Sequence, residues 1–425
     1  MRTLAEWLAL QEAVHPKTID MGLERVSSVA RTLGVDKPAA RVITVGGTNG
    51  KGSTVAHLDS LLRAAGASSG MFTSPHFIRY NERIRVQGAE VGDAELVDAF
   101  ERIEQARRAT TLTFFEYNAL AALLIFADRK LDVVILEVGL GGRLDAVNLV
   151  DADVGVVCSI GFDHRDYLGD TLEQIGVEKA GIFRQGRPAV LSTPDMPQSV
   201  YSTIQRLGAT AVVAGRDFSW QIDSREGTGS AWSYRGLRIE LSDLPPSALA
   251  GSIQYRNAAA SLAAVEALEA GLVLNERTVG EALRQVRLAG RFQVLPGPVE
   301  WILDIAHNEP AARVFAEHVR ERPLPAGGRT YAVVGILVDK DAREIAAALE
   351  PLVDHWVLCS LPGPRGTSAS DLAQRIHLPT DETTLAASVE EGCEVARASA
   401  VPGDRVIVFG SVYTVGPALR WLRVY

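Results

Sequence analysis

Residues 45 to 58 read VGGTNGKGSTVAHL, with four glycines, Lys51 and the hydroxyls of Ser53 and Thr54 inside nine positions. A loop of the form GxxxxGK[ST] cradles phosphate. Here Val45 stands at the first glycine of that pattern, and Gly52 follows Lys51 where a hydroxyl residue is usual. The flanks argue for phosphate all the same. RVITVGG is a Val- and Ile-rich run ending in glycine, a buried strand. STVAHLDSLLRAAG places Val55, Leu58, Leu62 and Ala65 on one helical face. Backbone N–H groups and the helix dipole converge on an anion where such a strand turns into a helix. Gly46, Gly47, Gly50 and Gly52 carry no Cβ to keep the backbone from phosphate oxygens. Lys51 would bridge the terminal phosphates, and Ser53 or Thr54 would set a hydroxyl near magnesium. The competing reading is a glycine-rich turn with a surface lysine.

Other residues have the chemistry but a weaker local signal. Glu137 ends the run VVIL at the C-terminal edge of a strand, where open α/β sheets bind ligands. A carboxylate there suits Mg²⁺, which takes one or two carboxylates plus water and phosphate oxygen, or it caps the next turn. His164 follows VVCSI and by itself reads as a loop histidine. VGLGGR (138–143) puts arginine where a dinucleotide fingerprint needs its last glycine, so it predicts a turn. Lys179 in EKAGI reads as a helix-surface lysine, and Arg291 as a solvated linker arginine.

These residues need a frame to hold them. At 425 residues, two domains are expected. Apolar runs (RVITVGG, DVVILEVG, DVGVVCSIG) alternate with amphipathic stretches, which predicts α/β architecture with a parallel sheet covered on both sides. Residues 216–243 alternate with period two between Gly/Ser turns and predict β-hairpins inserted in a first domain of 1–290. Glycines and prolines near 288–300 mark a linker, 291–298. The strand rhythm restarts in WILDIA, YAVVGIL, HWVLCS and RVIVFG, predicting a smaller Rossmann-like α/β domain over 299–425. The net charge of −9 argues against nucleic acid as a partner. No apolar run reaches the ~20 residues of a membrane span, and the N-terminal residues have no signal-peptide pattern. Three scattered cysteines form neither a metal motif nor a disulfide framework, so a cytoplasmic location is expected, and the chain is also expected to be a monomer.

The loop GTNGKGS resembles that of the folylpolyglutamate synthases and dihydrofolate synthases, relatives of the Mur ligases. So, in the family's order, do KTIDMGLERV (17–26), TSPHFIRYNERIRV (73–86), TFFE (113–116), LEVGLGGRLDAVN (136–148), GFDHRDYLG (161–169), EKAGIF (178–183), AGRFQ (289–293), DIAHN (304–308) and FGSVYTVG (409–416). The resemblance covers nearly the whole chain and implies a P-loop ATPase domain followed by a glutamate-binding domain. It implies that ATP is held by Thr48, Asn49, Gly50, Lys51, Gly52, Ser53, Asn257, Arg291 and Asp304, with Arg291 reaching across an interdomain cleft. Ser74, Glu137 and His164 would hold Mg²⁺, two ions in all, with the partners of Ser53 and Ser74 left open. Lys179 would be carbamylated, which requires a neutral amine and hence a lowered pKa. Ile19, Asp20, Met21, Thr113, Phe114, Phe115, Glu116, Leu144, Asp145 and Ala146 would form the dihydropteroate pocket. The phenylalanines would be its walls (one of them ordinary core), and Glu116 and Asp145 would accept hydrogen bonds from the pterin. His307 and Ser411 would take L-glutamate. Glu309 departs from the family, which carries proline there; Pro310 follows.

The implied reaction is ATP-dependent amide formation through an acyl phosphate, with Lys51, Lys179 and His307 as catalytic groups. Acceptors would be dihydropteroate, giving dihydrofolate, and reduced folates, which gain γ-linked glutamates. Folylpolyglutamate synthase activity alone is one alternative, and a P-loop NTPase or kinase is another. A Mur-type peptide ligase would carry a nucleotide-sugar domain ahead of the loop, where only about 45 residues stand.

Overall fold

A computed structural model describes residues 2–17, 19–223 and 230–425. The chain forms two compact units: Met1–Ala248 with Tyr255–Val286, and Leu249–Gln254 with Arg287–Tyr425.

Among the described residues, the first unit holds eight strands in one sheet: β1 (Arg41–Gly46), β2 (Ser69–Phe72), β3 (Ile84–Val86), β4 (Ala89–Glu90), β5 (Val133–Glu137), β6 (Val154–Val157), β7 (Pro188–Leu191) and β8 (Thr210–Val213). Their order is β4-β3-β2-β5-β1-β6-β7-β8. From β2 to β8 all neighbours are parallel, so β2, β5, β1 and β6 end on one edge. Helices cover both faces, which is why these strands are continuously apolar rather than alternating. The helix Lys51–Ala64 is buried over nearly its whole circumference, not only on the predicted apolar face. Its polar residues are satisfied inside: His57 bonds the Ser53 carbonyl (2.7 Å) and Ser247 Oγ (2.8 Å), and Ser60 Oγ donates to the Ala282 carbonyl (2.8 Å). Period alone could not show a second layer of helix over it.

The strands β9 (Ser219–Ile222), β10 (Trp232–Arg235) and β11 (Glu240–Leu244) form a separate antiparallel sheet in the first unit. The part of the predicted hairpins at 224–229 lies outside the described residues.

In the second unit, β12 (Gln293–Leu295), β13 (Glu300–Asp304), β14 (Thr330–Val334), β15 (His355–Cys359), β16 (Thr383–Ala386) and β17 (Arg405–Phe409) are ordered β12-β13-β17-β14-β15-β16. All pairs are parallel except β12 with β13. Two boundaries differ from the expected ones. The stretch 291–298 is not a bare linker. Phe292, 3% exposed, packs edge-on to Phe315 and His318, and the next three residues pair with β13. Pro296 and Pro298 hide so short a strand from any reading of periodicity. Leu249–Gln254 belongs with the second unit, where the Ile253 amide donates to His318 Nε2 (3.4 Å). Gly251, at φ +99°, lies where a Cβ would strike the His318 ring.

Candidate nucleotide and acceptor site

The turn after β1 depends on its glycines. Gly47 has φ +141°, and a Cβ on it would lie 3.0 Å from Cys158 Cβ. Gly50 has φ +89°, with Asn257 Oδ1 3.2 Å from where a Cβ would stand. Both conformations are costly for any other residue. The loop is latched to the segment after β6. The Thr48 amide donates to the Ser159 carbonyl (2.8 Å), and its hydroxyl donates to the Gly161 carbonyl (3.1 Å) and accepts from the Gly161 amide (2.9 Å). Ser159 Oγ accepts from the Asn49 amide and donates to its carbonyl, both at 3.0 Å. Thr48 therefore helps to shape the loop, with its amide and hydroxyl both engaged. Gly52 and Ser53 are buried in the first turn of the helix.

Two lysines converge here. Lys51 Nζ donates to the carbonyls of Gly47 (3.0 Å) and Thr48 (3.1 Å). Lys179, in the last turn of the helix Leu172–Ala180, donates to the same Gly47 carbonyl at 3.0 Å. It is 5% exposed, not a surface lysine. Burial first, and the Lys51 charge second, lower its pKa from 10.5 to about 7. Gly142 seats the intervening turn against this helix: a Cβ there would lie 2.8 Å from the Glu178 carbonyl and 3.0 Å from that of Lys179. So VGLGGR is a packing turn, as its missing last glycine implied.

Glu137 lies beside Val45 at the end of β1, and Ser74 follows β2. The Ser74 amide donates to Glu137 Oε2 (3.1 Å), which brings these two together. Glu137 is 4% exposed. A buried carboxylate at this strand edge fits a hard divalent cation. His164, half-buried at φ +51°, heads the short helix Arg165–Leu168 with Nε2 3.8 Å from Asp163 Oδ1. Among the described residues no three His, Cys, Asp or Glu side chains form a metal cluster, so phosphate oxygens or water must complete such a site.

The acceptor candidates also meet, through a residue that the sequence reading passed over. Arg25, in KTIDMGLERV, pairs Nη1 with Asp20 Oδ2 (2.7 Å) and donates Nη2 to the Asp20 carbonyl (2.9 Å) and Glu116 Oε1 (3.2 Å). His15 Nε2 lies 3.2 Å from Asp20 Oδ2. Burial alone would raise the Asp20 pKa, but Arg25 and His15 hold it below the usual value. Glu116 also accepts from the Thr113 amide (2.7 Å), and the Thr113 hydroxyl accepts from the Glu116 amide (3.2 Å), a capping box on the helix Phe114–Arg129. Asp145 accepts from the amides of Gly139 (3.0 Å), Leu140 (2.8 Å) and Val147 (3.0 Å). Burial nonetheless pushes its pKa up to about 6. Both acids thus also serve as helix- and turn-capping groups.

Both phenylalanines are partly buried against the core. Phe115 lies under Gly139, where a Cβ would come within 2.6 Å of its ring, and it packs on Phe72 at 5.8 Å. Phe114 meets Tyr80 edge-on at 6.0 Å, with the Arg83 guanidinium 5.5 Å from its ring. Met21 Cε lies 3.3 Å from where a Gly141 Cβ would be, while Ile19 is exposed, Leu144 half-buried and Ala146 buried.

In the second unit Asp304 and Phe409 are register partners at the ends of neighbouring parallel strands, and His307 and Ser411 follow those ends. Asp304 accepts from the amides of Phe292 (2.7 Å) and Ala306 (2.8 Å), and burial raises its pKa against the pull of Arg291. His307 Nδ1 donates to the Ile305 carbonyl (2.9 Å), which leaves Nε2 as the nitrogen that can accept. Asn308 caps the helix Glu309–Arg320 by accepting from the Ala311 amide (3.0 Å), and Pro310 falls in the first turn, where no N–H is needed. The departure at Glu309 is absorbed there. Ser411 Oγ shares a hydrogen bond with Thr414 Oγ1 (3.0 Å), which donates on to the Gly335 carbonyl (2.6 Å).

A glycine-loop cradle at a parallel sheet edge, followed by a second parallel α/β unit, defines a two-unit P-loop protein. The model of the Mur ligase middle domain matches residues 45–265, and that of the Mur ligase glutamate ligase domain matches 290–412. The chain is 44% identical to the dihydrofolate synthase/folylpolyglutamate synthase of Escherichia coli K12 over 98% of its length and 95% of the relative's. It is 30% identical to the Bacillus subtilis protein of the same name, with 95% of each covered. A structure of E. coli FolC in complex with DHPP and ADP superposes with a TM-score of 0.93, at 42% identity over 99% of this chain and 98% of that one. A bifunctional folylpolyglutamate synthase/dihydrofolate synthase with Mn, AMPPNP and L-glutamate bound gives 0.90, at 42% identity over 100% and 99%. The chain belongs to the Mur ligase family, in its dihydrofolate synthase/folylpolyglutamate synthase branch. No described helix is long and apolar enough to cross a membrane.

Proposed function

We propose that the chain is an ATP-dependent ligase that joins L-glutamate to dihydropteroate and adds further γ-linked glutamates to reduced folates. The observation that carries this reading is the pair of lysines gathered on the Gly47 carbonyl, inside a phosphate-type loop of this family. The loop amides and Lys51 hold the triphosphate in line with the acceptor carboxylate. A carboxylate oxygen attacks the γ-phosphorus, the bond to the β-phosphate oxygen breaks, and ADP leaves. The amine of L-glutamate, held by His307 and Ser411, then attacks the acyl carbon. The tetrahedral intermediate expels phosphate and loses a proton to give the amide. Lys51 turns from its carbonyl partners to the charge developing on phosphate, where a fixed cation lowers the barrier most.

Glu137, Ser74, His164 and Ser53 would hold magnesium, two ions in all, which would neutralise phosphate charge. Lys179 takes up CO₂ through its neutral amine and releases a proton, so a cation becomes a carboxylate beside the loop. Asn257, Arg291 and Asp304 serve the nucleotide. Arg25 joins the IDM and TFFE segments of the pteroate pocket. The protein acts as a cytoplasmic monomer.

A coupled ADP assay over a panel of pteroate and folate acceptors tests this reading. ADP release should require an acceptor and glutamate together. Release without either would mark a simple NTPase, and use of folates but not dihydropteroate would leave folylpolyglutamate synthase activity alone.

A further inference from the structure

Arg256 stands one residue before Asn257 on the helix Ile253–Ala267, the helix that closes over the phosphate loop. Ser261 Oγ of that helix donates to the Thr54 carbonyl at 3.2 Å, and Asn257 lies against Gly50. Arg256 and Cys158 lie near enough to influence each other's ionisation, and Cys158 lines both Gly47 and Gly50. The guanidinium is largely withdrawn from water, and burial lowers its pKa.

Its surroundings lack what other partly or fully buried arginines in this protein have. Arg405, 3% exposed, donates to Glu300 Oε2 (2.8 Å) and to the carbonyls of Val319 and Arg322. Arg25 has Asp20 and Glu116. Among the described residues Arg256 makes no hydrogen bond or ion pair, and its Nε is buried without a partner. A buried cation left unpaired is costly, and the arginine fork fits phosphate oxygens in particular.

We infer that Arg256 is a further nucleotide-binding residue of the first unit, its guanidinium pairing with the polyphosphate held by the glycine loop. This rests on the reading of that loop as a nucleotide site.

Calorimetric titration of the full-length protein with ATP, ADP and adenosine, each with Mg²⁺, tests it. Arg256→Gln should weaken ATP and ADP binding about ten- to a hundredfold, the range for a charge-assisted hydrogen bond. Adenosine should bind as before, and Arg256→Lys should restore part of the loss. Arg277→Gln, an exposed side chain on the helix Glu276–Gln285, is the control and should change nothing. ATP binding to Arg256→Gln within twofold of the parent would overturn the inference, as would an equal loss for adenosine. If Arg256→Gln does not fold, an unchanged ATP affinity in Arg256→Lys together with unchanged salt dependence would overturn it. A parent protein that binds no ATP at all would remove the nucleotide reading itself, a distinct result.

Discussion

At one edge of the first sheet lie two regions whose polar groups are managed in opposite ways. Around the glycine loop, among the described residues, the cations form no close ion pair with a carboxylate: Lys51 and Lys179 donate to main-chain carbonyls, with Asp163 and Asp145 acting on Lys179 only through space, and Arg256 makes no hydrogen bond. Around the IDM, TFFE and LDA segments the acids are already paired, Asp20 with Arg25 and His15, Glu116 with Arg25 and its own helix cap, and Asp145 with three amides. Carbonyls are weak competitors for a lysine, so an incoming phosphate displaces them readily. A capping carboxylate is held by bonds that also hold its helix or turn. The first region therefore responds to ligand charge, whereas the second offers a preformed wall. Mutations in the first should cost turnover with little loss of stability, and in the second they should cost both affinity and stability.

The largest effect is expected at Lys51. Lys51→Ala should lower kcat about a hundredfold or more, the scale of removing one preorganised transition-state donor, with the melting temperature nearly unchanged. Loss of stability in proportion to turnover would erase the contrast between the regions. Next comes Lys179. Lys179→Ala should lose most activity and regain part of it with formate or acetate, and the parent should show a carbamate carbon signal in ¹³C NMR under labelled CO₂. A bare amine there, with no chemical rescue, would remove the carbamate from the account.

In CO₂-free buffer the same lysine gives a signed pH dependence. Its folded pKa is near 7 and its ordinary value is 10.5, so between these the unfolded chain binds the extra proton. Stability from this group should therefore rise with pH across that window, and the rise should vanish in Lys179→Met. Denaturant titrations at several pH values measure the difference.

Arg25→Gln should act mainly on the second region, raising KM for dihydropteroate about tenfold with a smaller change in kcat, and lowering the melting temperature because Asp20 and Glu116 lose their counter-ion. A kcat effect without a KM effect would place Arg25 with the chemistry instead. Thr113→Ala should be mildest, costing about 1 kcal/mol of stability through the lost cap and shifting KM slightly.

How much of this could be read from the sequence follows from the same contrast. The cradle works through backbone conformation, and glycine at Gly47 and Gly50 records that requirement in residue identity. Strand ends were visible because parallel strands are apolar throughout, which placed Glu137 and Asp304 at the correct edges. The Arg25–Glu116 pair spans 91 positions, and no local pattern marks it. Arg256 was silent for a related reason: next to Asn257 in QYRNAAAS it looks like any helical arginine until its lack of partners is seen. Lys179 read as a surface residue because burial near a helix C-terminus depends on Gly142 and the turn packed there.

The most direct test of acid activation follows the oxygen. Dihydropteroate labelled with ¹⁸O in its carboxylate should, on turnover with ATP and L-glutamate, deliver one ¹⁸O to each phosphate released, seen as an isotope shift in ³¹P NMR. Phosphate released without label while dihydrofolate forms would contradict an acyl phosphate.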